Sequence, residues 1–108
     1  MGEFFNRAGK SISIAKYRAL HADDTYKRVA ETMLPDGKWI STVWLGSNHA
    51  FGDNPPLIFE TMVFAPGDSL DELAMRRYQT EEAALIGHEL IVLRWSIKWA
   101  LCSQQEAE

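Results

Sequence analysis

The sequence predicts an α+β fold: an antiparallel β-meander of about four strands, with a short N-terminal helix and a long C-terminal helix packed on the sheet. Three observations predict it. The chain has 108 residues, which suits a single domain spanning 1–108. Between 25 and 80, β-prone segments alternate with turn residues. After that region, Thr80 is a good N-cap, and apolar residues follow it through to Leu101.

The N-terminal region is predicted to hold a flexible arm and one short helix. Residues 1–10 have no sustained hydrophobic period, so we expect an arm that is poorly ordered or ordered only by a partner. Ser13 can cap a helix that stops at Asp23 and Asp24. Its apolar residues fall near one face: Ile14, Tyr17, Ala19 and Leu20.

Strands are predicted where β-prone runs lie between turn signals. Pro35, Asp36 and Gly37 suit a tight reversal, so the first two strands should form a hairpin. A loop rich in Gly, Asn, Asp and Pro over 47–56 follows. The four predicted strands span 26–34, 38–46, 57–64 and 73–79.

The third predicted strand is largely apolar on both faces. Phe59 and Val63 lie on one face, while Ile58 and Met62 flank Glu60 on the other. The second strand shows the same feature. The C-terminal helix can cover one face, so we expect the first helix, a ligand or another subunit to cover the second.

The C-terminal helix is apolar on more than one side. A helix in a small domain can bury only one face against its own sheet. The remaining apolar surface indicates self-association, and the residues predicted for a homo-oligomer interface are Ile91, Trp95 and Trp99. The polar segment 103–108 is expected to be a flexible tail.

Composition excludes several classes of protein. Eleven Lys and Arg against fifteen Asp and Glu give a formal net charge of −4, which argues against binding to duplex nucleic acid. One cysteine excludes an internal disulfide and a zinc site built from several thiolates. With no signal peptide and no predicted membrane contact, the expected location is the host cytoplasm, given the origin inferred below.

Enzyme motifs are absent from the sequence. There is no Walker loop, dinucleotide fingerprint, GxSxG elbow or CxxC pair, so no catalytic residue and no cofactor is predicted. Glu60, between apolar neighbours, is either a ligand anchor or general base, or is paired with an arginine or lysine of a neighbouring strand. His49, Glu60 and His88 could serve a small hydrolase, but their spacing matches no metal-ligand motif and no metal is predicted.

The residue types instead favour binding of a small anion. Arg76 and Arg77 could contact a phosphate group, while Trp44 or Phe51 could stack on a base. His49, Glu60 and His88 complete the predicted binding set through hydrogen bonds. The competing interpretation is that Trp44 is simply a core residue. Gly87, inside the helix, indicates close approach of a loop or ligand.

The central part of the chain resembles a family of small uncharacterised phage and prophage proteins. The resemblance covers about residues 26–90 and rests on 40–46, His49 and 56–64. In that family the core reads V-S-T-V-W-L-G-L-D-H, a Gly-rich loop, and P-L-I-F-E-T-M-V-F. A later arginine-tyrosine strand and Gly-His turn correspond to 77–88. Ser47-Asn48 departs from the family's Leu-Asp, which removes a carboxylate beside the histidine.

What the resemblance implies is a phage origin and a shared surface around the His49 loop, Glu60 and the Gly87-His88 turn. By analogy with phage accessory proteins, the leading hypothesis is a counter-defence protein that sequesters a small anionic ligand, such as a nucleotide immune signal. One alternative is a protein-binding inhibitor of a host defence or CRISPR effector. A structural or regulatory phage component and the small hydrolase are further alternatives.

Overall fold

The computed structural model describes residues 3–50, 52–67 and 71–106, with side chains described as far as Leu101. It confirms the predicted fold class. A four-stranded antiparallel sheet has the strand order β1-β2-β3-β4, as expected for a meander. The elements in chain order are α1 (Ile14–His21), α2 (Asp24–Lys27), β1 (Arg28–Met33), β2 (Trp39–Trp44), β3 (Phe59–Phe64), β4 (Glu72–Tyr78) and α3 (Glu81–Glu106).

The first helix begins where its cap residue predicted. The Ser13 side chain accepts a hydrogen bond from the backbone N–H of Lys16. The helix ends at His21, just before Asp23 and Asp24, as the sequence predicted.

A second helix, which the sequence did not predict, follows directly after Asp23. The Asp23 carboxylate accepts from the N–H groups of Thr25 and Tyr26 and so caps this additional short helix α2. As a result, β1 begins at Arg28 instead of residue 26.

The β1–β2 hairpin is confirmed, and it fixes the register of the sheet. The Leu34 N–H donates to the Lys38 carbonyl at 2.8 Å. Gly37 has a φ of 93°, a conformation that costs other residues strain. In the register that follows, Thr42 of β2 lies opposite Thr61 of β3.

One face of the sheet carries the core and lies under α3. Because side chains alternate along a strand, Ile40, Thr42 and Trp44 of β2 share this face. The core forms two clusters along the helix. The first contains Trp44, Ile58, Phe59, Tyr78 and Ala84; the second contains Leu34, Ile40 and Val63, with Ile91, Val92 and Trp95 packed against them.

The other face, called here the open face, lies away from α3, and Asp24 and Lys27 of α2 border it beside Ser41 and Val43. Tyr17 of α1 packs beside Trp44, with ring centroids 5.9 Å apart, at the end of the covered face. The first helix therefore extends the covered layer and does not cover the second apolar face. On the open face, the Trp39 and Phe64 rings stack at 5.3 Å.

The N-terminal segment packs on the domain instead of forming the predicted flexible arm. The Phe5 N–H donates to the Gly46 carbonyl at 2.8 Å. The indole N–H of Trp44 donates to the Phe5 carbonyl at 2.9 Å. Arg7 forms an ion pair with Glu81 at the start of α3. The arm is held because it satisfies a buried indole donor, which its own composition does not reveal.

The helix α3 is longer than the sheet beneath it. Its 26 residues extend to Glu106, past the position where a flexible tail was predicted. At 1.5 Å per residue it measures about 39 Å, against roughly 20 Å for a six-residue strand. Residues 97–101 are all exposed. No helix in the described ranges is long and apolar enough to cross a membrane.

A candidate anion-binding groove

A groove runs between β4 and the N-terminal half of α3. Its volume is about 540 Å³, within the usual range for small-molecule sites. Apolar side chains of the helix form much of one wall. The lining residues are Arg76, Arg77, Tyr78, Ala83, Ile86, Gly87, Leu90, Ile91 and Arg94.

Three arginines line this groove, and two of them are uncommitted. The Arg77 Nε donates to the Glu60 carboxylate at 3.0 Å. Arg76 on β4 and Arg94 on α3 form no ion pair within the described residues. Both are exposed, so their guanidinium groups can reach a ligand. In a chain of net charge −4, this is a local concentration of positive charge.

Tyr78 forms the base of the groove by lying against the helix backbone at Gly87. A Cβ built at Gly87 would come within 2.2 Å of the Tyr78 ring, so only glycine permits this approach. The Tyr78 hydroxyl is buried and has no hydrogen-bond partner among the described residues. The close approach predicted from Gly87 is therefore made by a tyrosine ring.

His88 is held in a buried network of threonines. It is 1% exposed. Its Nε2 is hydrogen-bonded to Thr32 at 2.8 Å, and its Nδ1 to Thr42 at 2.7 Å. Thr42 is in turn bonded to Thr61. Burial lowers the pKa of His88, which favours the neutral ring. Both nitrogens are occupied, so in this structure His88 joins the helix to the sheet.

Glu60 and His88 lie on opposite faces of the sheet. Glu60 occupies the open face opposite Val43, whereas the neighbouring Thr61 points to His88. At 7% exposed, Glu60 is buried beside Arg77, its partner on the adjacent strand. Of the two interpretations of Glu60, the structure has the cross-strand ion pair. A hydrolase using both residues would need them on the same face.

The predicted stacking residues lie away from the groove. Trp44 is 1% exposed and meets the Tyr26 ring edge-on at 5.0 Å, so it is a core residue here. His49 lies in the loop after β2, with its Nε2 bonded to the Ser47 hydroxyl at 3.0 Å. Phe51 falls outside the described residues. Of the predicted ligand-binding set, the groove brings together only Arg76 and Arg77.

The predicted oligomer-interface residues are also divided between two environments. Ile91 and Trp95 pack against the second core cluster, under the sheet. Trp99 is 37% exposed, beyond the sheet. The most exposed apolar side chains of α3 belong to a different set of residues: Ile86, Leu90, Leu93, Ile97 and Leu101.

Arg94 is a groove residue that the sequence did not predict. Arg94 lies 18 residues after Arg76, and only the packing of α3 on β4 brings both to one groove. The signal that could have found it is Gly87. Residues seven apart share a helix face, and Arg94 lies seven residues after Gly87. A close approach at Gly87 therefore predicts that Arg94 lies on the same side of the helix. Across the described residues, no group of three or more His, Cys, Asp or Glu could hold a metal ion.

Comparison with known proteins gave no family assignment. The chain matches no protein family, no curated protein and no solved structure at a significant level.

Proposed function

We propose that this protein binds and sequesters a small phosphate-bearing molecule in the groove between β4 and α3. The observation that carries the proposal is the pair of uncommitted arginines, Arg76 and Arg94, on the two elements that form the groove. Guanidinium groups bind phosphate through paired, charge-assisted hydrogen bonds.

The apolar lining favours a ligand with a flat organic part beside its phosphate. Ile86, Leu90 and Ile91 supply contact surface of that kind. A nucleotide has both chemistries and fits a volume of about 540 Å³. The one histidine of α3 is buried beneath the helix, and no described residue of the groove is an obvious general base. Binding without turnover follows from this residue set.

The biological role proposed is phage counter-defence in the host cytoplasm. It is supported by the resemblance of the 40–64 core to phage and prophage proteins. A small protein that holds a nucleotide immune signal without altering it would act by mass action. It therefore has to be made in amounts comparable to the signal.

A second candidate function is inhibition of a host defence protein through the open face. Trp39, Met62 and Phe64 give this face an apolar surface that is only half-buried within the described part of the chain. Trp39→Lys should abolish capture of a host protein while leaving ligand binding in the groove unchanged.

The test of ligand sequestration combines native mass spectrometry with titration calorimetry. Protein purified from its expression host should carry a discrete added mass that is lost on denaturation. In calorimetry, inorganic pyrophosphate, a nucleoside diphosphate and a cyclic dinucleotide are titrated separately. At least one should bind, and its affinity should fall as salt is raised, because exposed charges are screened.

Matched variants locate the site. Arg94→Gln and Arg76→Gln should each weaken binding about tenfold or more, as expected for losing a charge-assisted hydrogen bond of about 1.5–3 kcal/mol. Arg18→Gln, which removes an exposed arginine of α1, is the control and should bind normally. The proposal is contradicted if Arg18→Gln weakens binding equally. It is also contradicted if none of the three probes binds and the purified protein carries no added mass.

A further inference from the structure

The outer side of α3 carries an apolar stripe, defined as Ile86, Leu90, Leu93 and Ile97. Each of the four side chains is more than half exposed, from 52% to 61%. The spacings are four, three and four residues, the repeat with which one helix packs along another. The sheet-facing residues have the same spacing, offset by two positions, so the outer stripe lies opposite the sheet: Ala84, His88, Ile91 and Trp95.

We infer that the outer stripe binds the same stripe of a second copy, with the two α3 helices parallel and a two-fold axis along the pair. Ala100 continues the repeat three residues beyond Ile97. A stripe that pairs with itself satisfies the requirement of a two-fold interface, in which each surface meets its own copy.

Charge favours the parallel arrangement. Two charged residues flank the stripe over its central turns: Glu89, directly before Leu90, and Arg94, directly after Leu93. In a parallel pair of helices, a residue that directly precedes a core position faces the partner residue five positions later in the sequence. Glu89 of one copy therefore lies near Arg94 of the other. An antiparallel pair centred on the stripe instead places Glu89 near Ser96 and Arg94 near Gly87, with no opposite charge.

The length of α3 also favours a second copy of the chain as the partner of the outer stripe. Beyond the sheet, Ile97 and Leu101 are exposed at 52% and 56%. The sheet is too short to cover this part of the helix. A parallel partner of equal length extends over the same residues, whereas a compact partner centred on the sheet would leave them in water.

The dimer does not rest on the proposed anion binding, although both use Arg94, whose guanidinium would contact the partner's Glu89 in one and a phosphate in the other. Ile86, Leu90 and Arg94 border both the stripe and the groove. The second copy therefore lies along the outer rim of the groove. Loss of the dimer in solution is measured without any ligand, so failure of one proposal is distinguishable from failure of the other.

The first experiment measures molar mass by light scattering. The wild-type chain should have twice the monomer mass, and Leu93→Glu should have the monomer mass with an unchanged circular dichroism spectrum. Ile14→Glu is the matched control, because it replaces an equally exposed apolar residue at the start of α1, where a carboxylate is well placed. It should remain dimeric. A monomeric wild type, or a dimer that survives Leu93→Glu, overturns the inference.

The second experiment tests the orientation by oxidation. In a Cys102→Ser background, Ala100→Cys places one thiol per chain on the continued stripe. A parallel pair brings the two thiols together, so a cross-linked dimer should form readily. In an antiparallel pair they lie roughly 25 Å apart by helix rise, and no cross-link forms. Absence of the cross-link in a dimeric sample overturns the parallel arrangement.

Discussion

At the scale of single residues, Gly87 sets how closely α3 lies on β4. Ala is the better helix former by about 1 kcal/mol, so helix propensity alone predicts that Gly87→Ala stabilises the protein. The contact with Tyr78 reverses that expectation, because the added methyl would lie 2.2 Å from a ring carbon. We expect Gly87→Ala to lower the free energy of unfolding by about 1–3 kcal/mol, measured by urea denaturation.

A double-mutant cycle separates the clash from any other cost. In a Tyr78→Ala background the ring is gone, so Gly87→Ala should become neutral or stabilising. If Gly87→Ala costs the same in both backgrounds, the ring contact is not the cause.

Also at the residue scale, His88 should make folding sensitive to acid. Burial lowers its pKa in the folded protein, with Glu89 opposing the shift. In the unfolded chain a histidine titrates near pH 6.5. Below that value, the unfolded chain gains a proton that the folded protein resists, so stability is lost as the pH falls.

The prediction is that the free energy of unfolding falls as the pH is lowered below about 6.5. His88→Gln should be less stable at neutral pH, because it disrupts the bonds to Thr32 and Thr42, but should show a shallower decline with acid. The decline should persist in His21→Gln, which leaves the buried network intact. An equally steep decline in His88→Gln would assign the acid sensitivity elsewhere.

At the scale of elements, the N-terminal segment belongs to the packed domain. Phe5 packs against the first core cluster, and its backbone bonds both Gly46 and Trp44. Phe5→Ala should therefore lower the free energy of unfolding by about 2 kcal/mol, less than for a fully buried phenylalanine because Phe5 is half-buried. Lys10→Ala, exposed in the same segment, should change nothing measurable by thermal denaturation. A flexible arm would give no effect for either variant.

The ion pair between Arg7 and Glu81 joins the same segment to α3 but contributes less. Both side chains are about one-third exposed, and solvent screens such pairs. Packing of Phe5 against the first core cluster should therefore stabilise this element more than the ion pair does.

At the scale of the whole molecule, α3 has two apolar stripes and the sheet has two apolar faces. Within the described part of the chain, one stripe and one face cover each other, the second stripe is exposed, and the second face is half-buried. If α3 pairs with a second copy, folding and association are coupled. The Tm should then rise by a few degrees for each tenfold increase in protein concentration. Differential scanning calorimetry of the wild type and Leu93→Glu tests this, since only the wild type should show the dependence.

The sequence by itself determined the fold class and the order of the elements. Turn residues at 35–37, the Ser13 and Thr80 caps and the β-prone runs between turn signals act over a few residues, and the structure confirms what they predict. The boundaries differ where a local choice was ambiguous, as at Asp23, which caps a further turn of helix.

Only the tertiary structure decided what each unusual residue contacts. The register of β3 against β2 places Glu60 on the open face and Thr61 beneath His88. A shift of that register by one residue would exchange the faces of these two side chains. Packing of α3 on β4 brings Arg94 to Arg76, although 18 residues separate them in the chain. Local patterns set the elements because they depend on neighbours in sequence; the groove depends on neighbours in space.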